Sequence, residues 1–348
     1  MANIREVAAL AGVSISSVSN VLNGRVDQMR DETRARIEQA IDELNYQPNR
    51  VIPQPKRRQV RMFGLLVPSI VNPGFSALAH EVELAARKHH YRMLLGNACR
   101  REEEEADFIE DLFSHGVRGL IVAASDMRKP HFARAAEQGM VIVNYDNRQV
   151  WNLNDQPGLY DNISMDNAEA GRIAAAHLLE RGCKNIVFAT EASLTPGRSL
   201  KIDGFQSVLR KHQMESQGHV VAEKAAGGYG DSEMTEIGHA LAARILQMSP
   251  RPDGIVAVND ALGIGLIAGL RDAGAAVPEE ISVIGIDNVP LSRITRPAMS
   301  SVMAPLGDIA SLMVERLLQR IADPRTPPEA FLFAPSLEAR QSVREAGP

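Results

Sequence analysis

Residues 14–25 read SISSVSNVLNGR. Ser16, Ser17, Ser19 and Asn20 are short hydrogen-bonding side chains on one stretch of chain. Hydroxyls of this kind suit phosphate oxygens and base edges. An asparagine amide can make a two-point contact to adenine, worth about 1–3 kcal/mol of discrimination. Ile15 has the shape to pack on a thymine methyl. Val18, Val21 and Leu22 recur at helical spacing, so one stripe is apolar while the rest stays polar. Such a helix is greasy behind and hydrogen-bonding in front. It reads either as a helix for a duplex groove or as half of an ordinary helical hairpin.

The surrounding elements decide how it is held. Ile4, Val7, Ala8 and Ala11 mark a first amphipathic helix, and Gly12 follows where a left-handed residue costs least. Ser14 is the expected N-cap of the second helix, and Asn23-Gly24 is a breaker pair. Asp31 and Glu32 suit the positive start of a third helix carrying Ile37, Ala40, Ile41 and Leu44. Helix, glycine-containing turn, helix is the helix-turn-helix pattern, and it occupies residues 1–48. Pro48, Pro53 and Pro55 then oppose continuous helix, so 49–61 reads as a hinge or linker bearing Lys56, Arg57 and Arg58.

Charge divides at the same place. Residues 1–61 hold ten Lys/Arg against seven Asp/Glu, whereas the whole chain of 348 residues has a net charge of −5. A basic head on an acidic body points to a polyanion met by the head alone.

From residue 62 the pattern changes to short apolar runs (GLLVPS, GLIVAAS, MVIVNYD, NIVFAT, GIVAVND, ISVIGID) alternating with helical stretches. Strand–helix alternation predicts parallel sheets covered by helices, and the length of 62–348 predicts two α/β subdomains. Ligands of such sheets lie at the carboxyl ends of strands. The candidates there are Ser69, Asn72 and Phe75, then Ser125, Asp146, Glu191, Asn259 and Asp287. Carboxylates and amides in pairs suit vicinal hydroxyls, and Phe75 offers an apolar face to a sugar ring. A single aspartate at a strand end is more often a helix cap; it is their convergence on one cleft that favours binding.

Other classes are disfavoured. No P-loop, GxSxG or HExxH occurs, so no catalytic residues, cofactor or metal site are expected. GIGLIAG at 263–269 has its third glycine out of register for a dinucleotide fingerprint and reads as close helix packing. REEEEADF at 101–108 reads as a solvated helix start. The two cysteines, Cys99 and Cys183, are far apart and fit a reducing compartment. No apolar run is long enough for a membrane helix, and the N-terminus lacks the order of a signal peptide, so a cytoplasmic protein is expected.

NIREVAALAGVSISSVSNVLNG and RDETRARIEQAIDELNYQPN, followed in order by GLLVPSIVNPGF, VNYDN, DGF, VAVNDALGIG, VPEEISVIGIDNVPLS and SSVMAPLGDIA, resemble the lactose-repressor (LacI-type) family of bacterial transcription regulators over nearly the whole chain. The resemblance implies an N-terminal all-α helix-turn-helix domain plus an α/β core of two doubly wound parallel-sheet subdomains, similar to periplasmic binding proteins. It implies a homodimer on near-palindromic double-stranded operator DNA, controlled by a small-molecule effector such as a sugar, disaccharide or glycoside. The expected DNA-facing residues are Ser14, Ile15, Ser16, Ser17, Ser19, Asn20, Asn23, Arg34, Asn49, Arg50, Ile52, Lys56 and Arg57. Among effector contacts, the resemblance singles out Phe75, Asp146, Asn259 and Asp287, with Arg198 and Tyr229 as further candidates. Lys201 stands where the family usually has an effector-binding arginine, which favours a neutral ligand over an anion held bidentately. Asn20 replaces a usual arginine, which shifts base preference from guanine toward adenine. Pro55 stands where a hinge-helix leucine is usual. The expected division of the core is 62–162 plus 292–324 for the first subdomain and 163–291 plus 325–345 for the second.

Overall fold

The computed structural model describes residues 3–22, 29–44, 46, 61–146, 159–214, 219–227 and 230–345. The chain divides into two compact units, Met1–Gln59 and Val60–Pro348.

Among its described residues the first unit has three helices: α1 (Ile4–Ala11), α2 (Ile15–Leu22) and α3 (Asp31–Glu43). Asn3 caps α1 in a reciprocal box with Glu6, and Gly12 ends it at φ 64°. Ser14 Oγ accepts the Ser17 N–H at 3.2 Å and so opens α2. Val7, Ala8, Ala11, Val18, Ile37 and Ala40 form the buried centre, with Val21, Leu22, Ile41 and Leu44 packed around it. The apolar stripes expected of all three helices therefore meet in one small core.

The described residues of the second unit form two six-stranded sheets. The first runs in the order β11-β5-β4-β3-β1-β2 and is parallel throughout. Its strands are β1 (Arg61–Val67), β2 (Tyr91–Asn97), β3 (Gly119–Ala123), β4 (Val141–Tyr145), β5 (Asp161–Met165) and β11 (Ala330–Phe333). The second runs β12-β10-β9-β8-β6-β7 and is parallel except for the β10–β12 pair. Its strands are β6 (Ile186–Glu191), β7 (His219–Glu223), β8 (Gly254–Ala257), β9 (Ser282–Ile286), β10 (Ser300–Met303) and β12 (Ser336–Glu338). The helices are α4 (Pro73–Lys88), α5 (Glu102–Ser114), α6 (Pro130–Glu137) and α11 (Leu306–Ala322) in the first half, and α7 (Asn167–Glu180), α8 (Pro196–Lys211), α9 (Met234–Leu246) and α10 (Asp260–Asp272) in the second. Each sheet begins 2-1-3-4 by position, the doubly wound order that leaves a crevice at the carboxyl ends of its strands.

The chain passes between halves three times, after β5, after β10 and after β11. This corrects the expected boundaries. Segment 292–303 joins the second half because β10 pairs with β9, Ser300 opposite Ile284. The 330–333 strand joins the first half because β11 pairs with β5.

An ionic cluster ties the start of β5 to α11. Asp161, wholly buried, accepts Arg316 at 2.8 Å and Arg320 at 2.8 Å, both from α11. The GIGLIAG glycines serve helix packing as expected: a Cβ at Gly265 would lie 1.9 Å from Thr235 O on α9. REEEEADF forms the start of α5, but Glu105 is buried, accepting from Ser125 Oγ at 2.5 Å and Lys129 Nζ at 2.7 Å, which corrects its reading as part of a wholly solvated run.

Candidate functional site

On α2, Ser14, Ile15, Ser16 and Asn20 are exposed while Val18 is fully buried. Ile15 exposes 45% of its surface. The Ser14 hydroxyl lies 3.2 Å from Ser16 Oγ and 3.0 Å from Ser17 Oγ. Ser17 and Ser19 are half-buried at the edge of the same face. The helix thus presents a front of hydroxyls, one amide and one aliphatic side chain. Arg34 is exposed on α3, paired with Glu38 at 2.7 Å. Asn23, Asn49, Arg50, Ile52, Lys56 and Arg57 lie outside the described residues.

Between the two sheets lies a cleft with about 720 Å³ of empty space including its open mouth. Seven expected residues line it: Asn72, Phe75, Asp146, Arg198, Lys201, Asn259 and Asp287. Three do not. Ser69 is buried and accepts the Val71 N–H at 3.2 Å. Ser125 donates to Glu105 behind the strand ends. Glu191 is buried and accepts Arg198 Nη1 at 2.5 Å, so it holds Arg198 from behind. Tyr229 lies outside the described residues. Arg100, Tyr145 and Asp231 also line the cleft, although the strand-end rule did not single them out.

Local structure fixes the polar atoms. Asn72 Oδ1 caps α4 through the Gly74 N–H at 3.0 Å, and Asn259 Oδ1 caps α10 through the Leu262 N–H at 3.0 Å. Capping and cleft lining coincide here: the oxygen serves the helix and the amide nitrogen remains to donate. Lys201 Nζ donates to Val258 O at 3.2 Å. Arg100 Nε and Arg198 Nη2 both donate to Asp231, at 2.6 and 2.8 Å.

Backbone strain concentrates in the same place. Arg100, Ala124, Asp146 and Asp287 have φ of 55°, 50°, 59° and 119°, in the region that costs a non-glycine residue of order 1–3 kcal/mol. All four line the cleft. Desolvation pushes the Asp287 carboxyl up to about 7; Lys201 opposes the rise, while Asp260 and Asp146 add to it. Burial likewise raises the Tyr145 hydroxyl well above its ordinary value.

The site can therefore accept hydroxyls at carboxylates, donate from amides and a lysine, and offer the Phe75 ring as an apolar wall. Among the described residues no group of three or more side chains is placed to hold a metal ion, and no helix is long and apolar enough to cross a membrane.

Residues 3–49 match the family model described as bacterial regulatory proteins, lacI family, and 175–343 match the periplasmic binding protein-like domain. The HTH-type transcriptional repressor PurR of Aliivibrio salmonicida is 30% identical over 99% of this chain and 100% of its own length. The HTH-type transcriptional regulator PtxS of Pseudomonas aeruginosa is 31% identical over 99% and 96%. A LacI family transcriptional regulator from Enterococcus faecium with bound ribose superposes with a TM-score of 0.72, at 26% identity, covering 82% of this chain and 100% of that one. A complex of the transcriptional regulator CelR with cellobiose has the same fold, with a TM-score of 0.69 at 24% identity over 98% of this chain and 100% of that one. A DNA-binding head of one matched kind, a receptor core of the other, and full-length relatives in the same arrangement establish that this chain is a transcriptional regulator of the LacI family.

Proposed function

We propose that the protein binds a near-palindromic operator as a homodimer in the cytoplasm and represses transcription under the control of a small sugar or glycoside. In this reading α2 enters the major groove, with Asn20 and Ile15 reading base edges and Ser16, Ser17 and Ser19 engaging phosphates. Arg34 and the hinge residues Asn49, Arg50, Lys56 and Arg57 add phosphate contacts.

The observation that carries the effector reading is the lining of the cleft: Asp146 and Asn72 from one half face Asp287, Asn259 and Lys201 from the other. A polyhydroxylated ligand bound there bridges both halves. It then favours whichever interdomain angle lets it touch both, and operator affinity follows that shift in population. The bound ribose of the Enterococcus faecium regulator supports a sugar as the effector class.

The test is a gel shift of purified protein with promoter fragments against bulk DNA, with and without a panel of mono- and disaccharides. Sequence-selective, salt-dependent binding that one sugar changes at least tenfold is expected. Equal affinity for every fragment under all conditions refutes the regulator mechanism. Selective binding that no sugar alters refutes the effector class.

A further inference from the structure

Four charged side chains form an alternating chain across the cleft: Arg100, Asp231, Arg198 and Glu191. Arg100 Nε meets Asp231 Oδ2 at 2.6 Å, Arg198 Nη2 meets Asp231 Oδ1 at 2.8 Å, and Arg198 Nη1 meets Glu191 Oε2 at 2.5 Å. Both oxygens of Asp231 are used, and its side chain is 5% exposed. Arg100 follows β2 in the first half, whereas Asp231 lies in a short 3-10 turn before α9 in the second.

The chain is built rather than incidental. Cys99 and Arg100 are successive residues with φ of 50° and 55°, two strained positions that aim the guanidinium inward. The Arg100 Nη1 also donates to Ala124 O.

Guanidinium groups are the side chains best matched to a carboxylate, because their planar fork donates two parallel hydrogen bonds. Among the described residues this cleft has two, and a protein carboxylate already lies between them. A carboxylated ligand would find both forks engaged and would face Asp146 and Asp287 besides. An uncharged polyol meets no such repulsion and finds acceptors in those same aspartates. We propose that Asp231 is the specificity-determining residue of the cleft: it fills an anion subsite made by Arg100 and Arg198, and thereby selects a neutral sugar over its carboxylated counterpart. This rests on the sugar reading given above and adds the charge of the ligand to it.

Calorimetry on the full chain with matched pairs tests it, glucose against glucuronate and galactose against galacturonate, then the corresponding disaccharides and their acids. The wild type is expected to bind the neutral member of the productive pair at least tenfold more tightly. Asp231→Asn frees the two forks and is expected to move the preference toward the acid by tenfold or more. Arg100→Gln added to Asp231→Asn is expected to remove that gain. The wild-type comparison needs no variant to fold. A wild type that binds the acid as tightly as the neutral sugar, or more tightly, overturns the proposal, as does a folded Asp231→Asn protein with unchanged preference. Failure of every sugar and every acid to bind, in protein that still shifts DNA selectively, overturns the sugar reading and this proposal with it.

Discussion

Asp287 of the second half faces Gly74 of the first so closely that a Cβ at Gly74 would lie 2.8 Å from Asp287 Oδ2. The reverse contact exists too: a Cβ at Gly197 would lie 2.8 Å from Asp146 Oδ2. Gly74 and Gly197 are in the first turns of α4 and α8, each after a capping residue and a proline (Asn72-Pro73 and Thr195-Pro196). Each aspartate therefore sits at the positive end of the opposing half's helix.

Gly74→Ala intrudes on this contact without touching the core. The added methyl must push the Asp287 carboxylate aside or hold the halves apart. Effector affinity is expected to fall about tenfold, near 1.4 kcal/mol, in a protein that melts normally. Titration calorimetry checks this, and an unchanged Kd would show that the contact is unimportant.

Asp287 also makes a pH prediction. Its carboxyl is pushed up to about 7, so it ionises within the physiological range. An ionised carboxylate is the better acceptor for sugar hydroxyls, so affinity for a neutral sugar should tighten between pH 6 and pH 8. Stability moves the other way: the unfolded chain ionises this acid first, so the fold loses stability over the range in which only the native carboxyl keeps its proton. Its contribution falls as pH rises from about 4 to about 7, then levels off. Asp287→Asn should flatten both trends; a binding profile that keeps its slope in this variant assigns the titration elsewhere.

Asp161 carries a stability prediction. Asp161→Ala removes the carboxylate shared by the buried Arg316 and the nearly buried Arg320, leaving Arg316 with the exposed carboxylate of Glu329 at 3.2 Å. The cost is expected to be about 3–5 kcal/mol in chemical denaturation. A loss below about 1 kcal/mol would mean that water or other carbonyls replace it.

On the head, Asn20→Ala should remove about 1–3 kcal/mol of discrimination at one base pair per half-site while leaving the salt dependence of binding intact. Val18→Ala should instead weaken binding to all sequences, because it hollows the core that holds α2. Competition against operators randomised one position at a time separates the two. A uniform loss with Asn20→Ala would make that residue a phosphate contact.

Much of the cleft was legible because strand ends and helix starts are local features: Asn72, Asp146, Asn259 and Asp287 each close an apolar run. Arg100 was not, since it stands among RREEEE beside Arg101, which is exposed and paired with Glu104. Nothing local separates a guanidinium aimed into a cleft from one in water; the left-handed backbone at Cys99 and Arg100 does, and it is visible only in three dimensions. Asp231 was hidden for the same reason, in a glycine-rich loop with no periodicity. Ser125 and Glu191 end apolar runs as the rule requires, yet Ser125 turns to Glu105, outside the lining, and Glu191 supports Arg198 from behind. The short strands β10 and β11 were placed in the wrong halves because a four-residue strand carries no mark of the sheet it will join.

The threefold crossing of the chain has a consequence for synthesis on the ribosome. The first sheet starts with β1 at residue 61 and is closed by β11 at residue 330. Its β5 edge is therefore unpaired in the nascent chain until residues 330–333 have been made. An open parallel edge of this kind is where a neighbouring polypeptide can add itself, so the half that is made first is the one that must wait longest for protection.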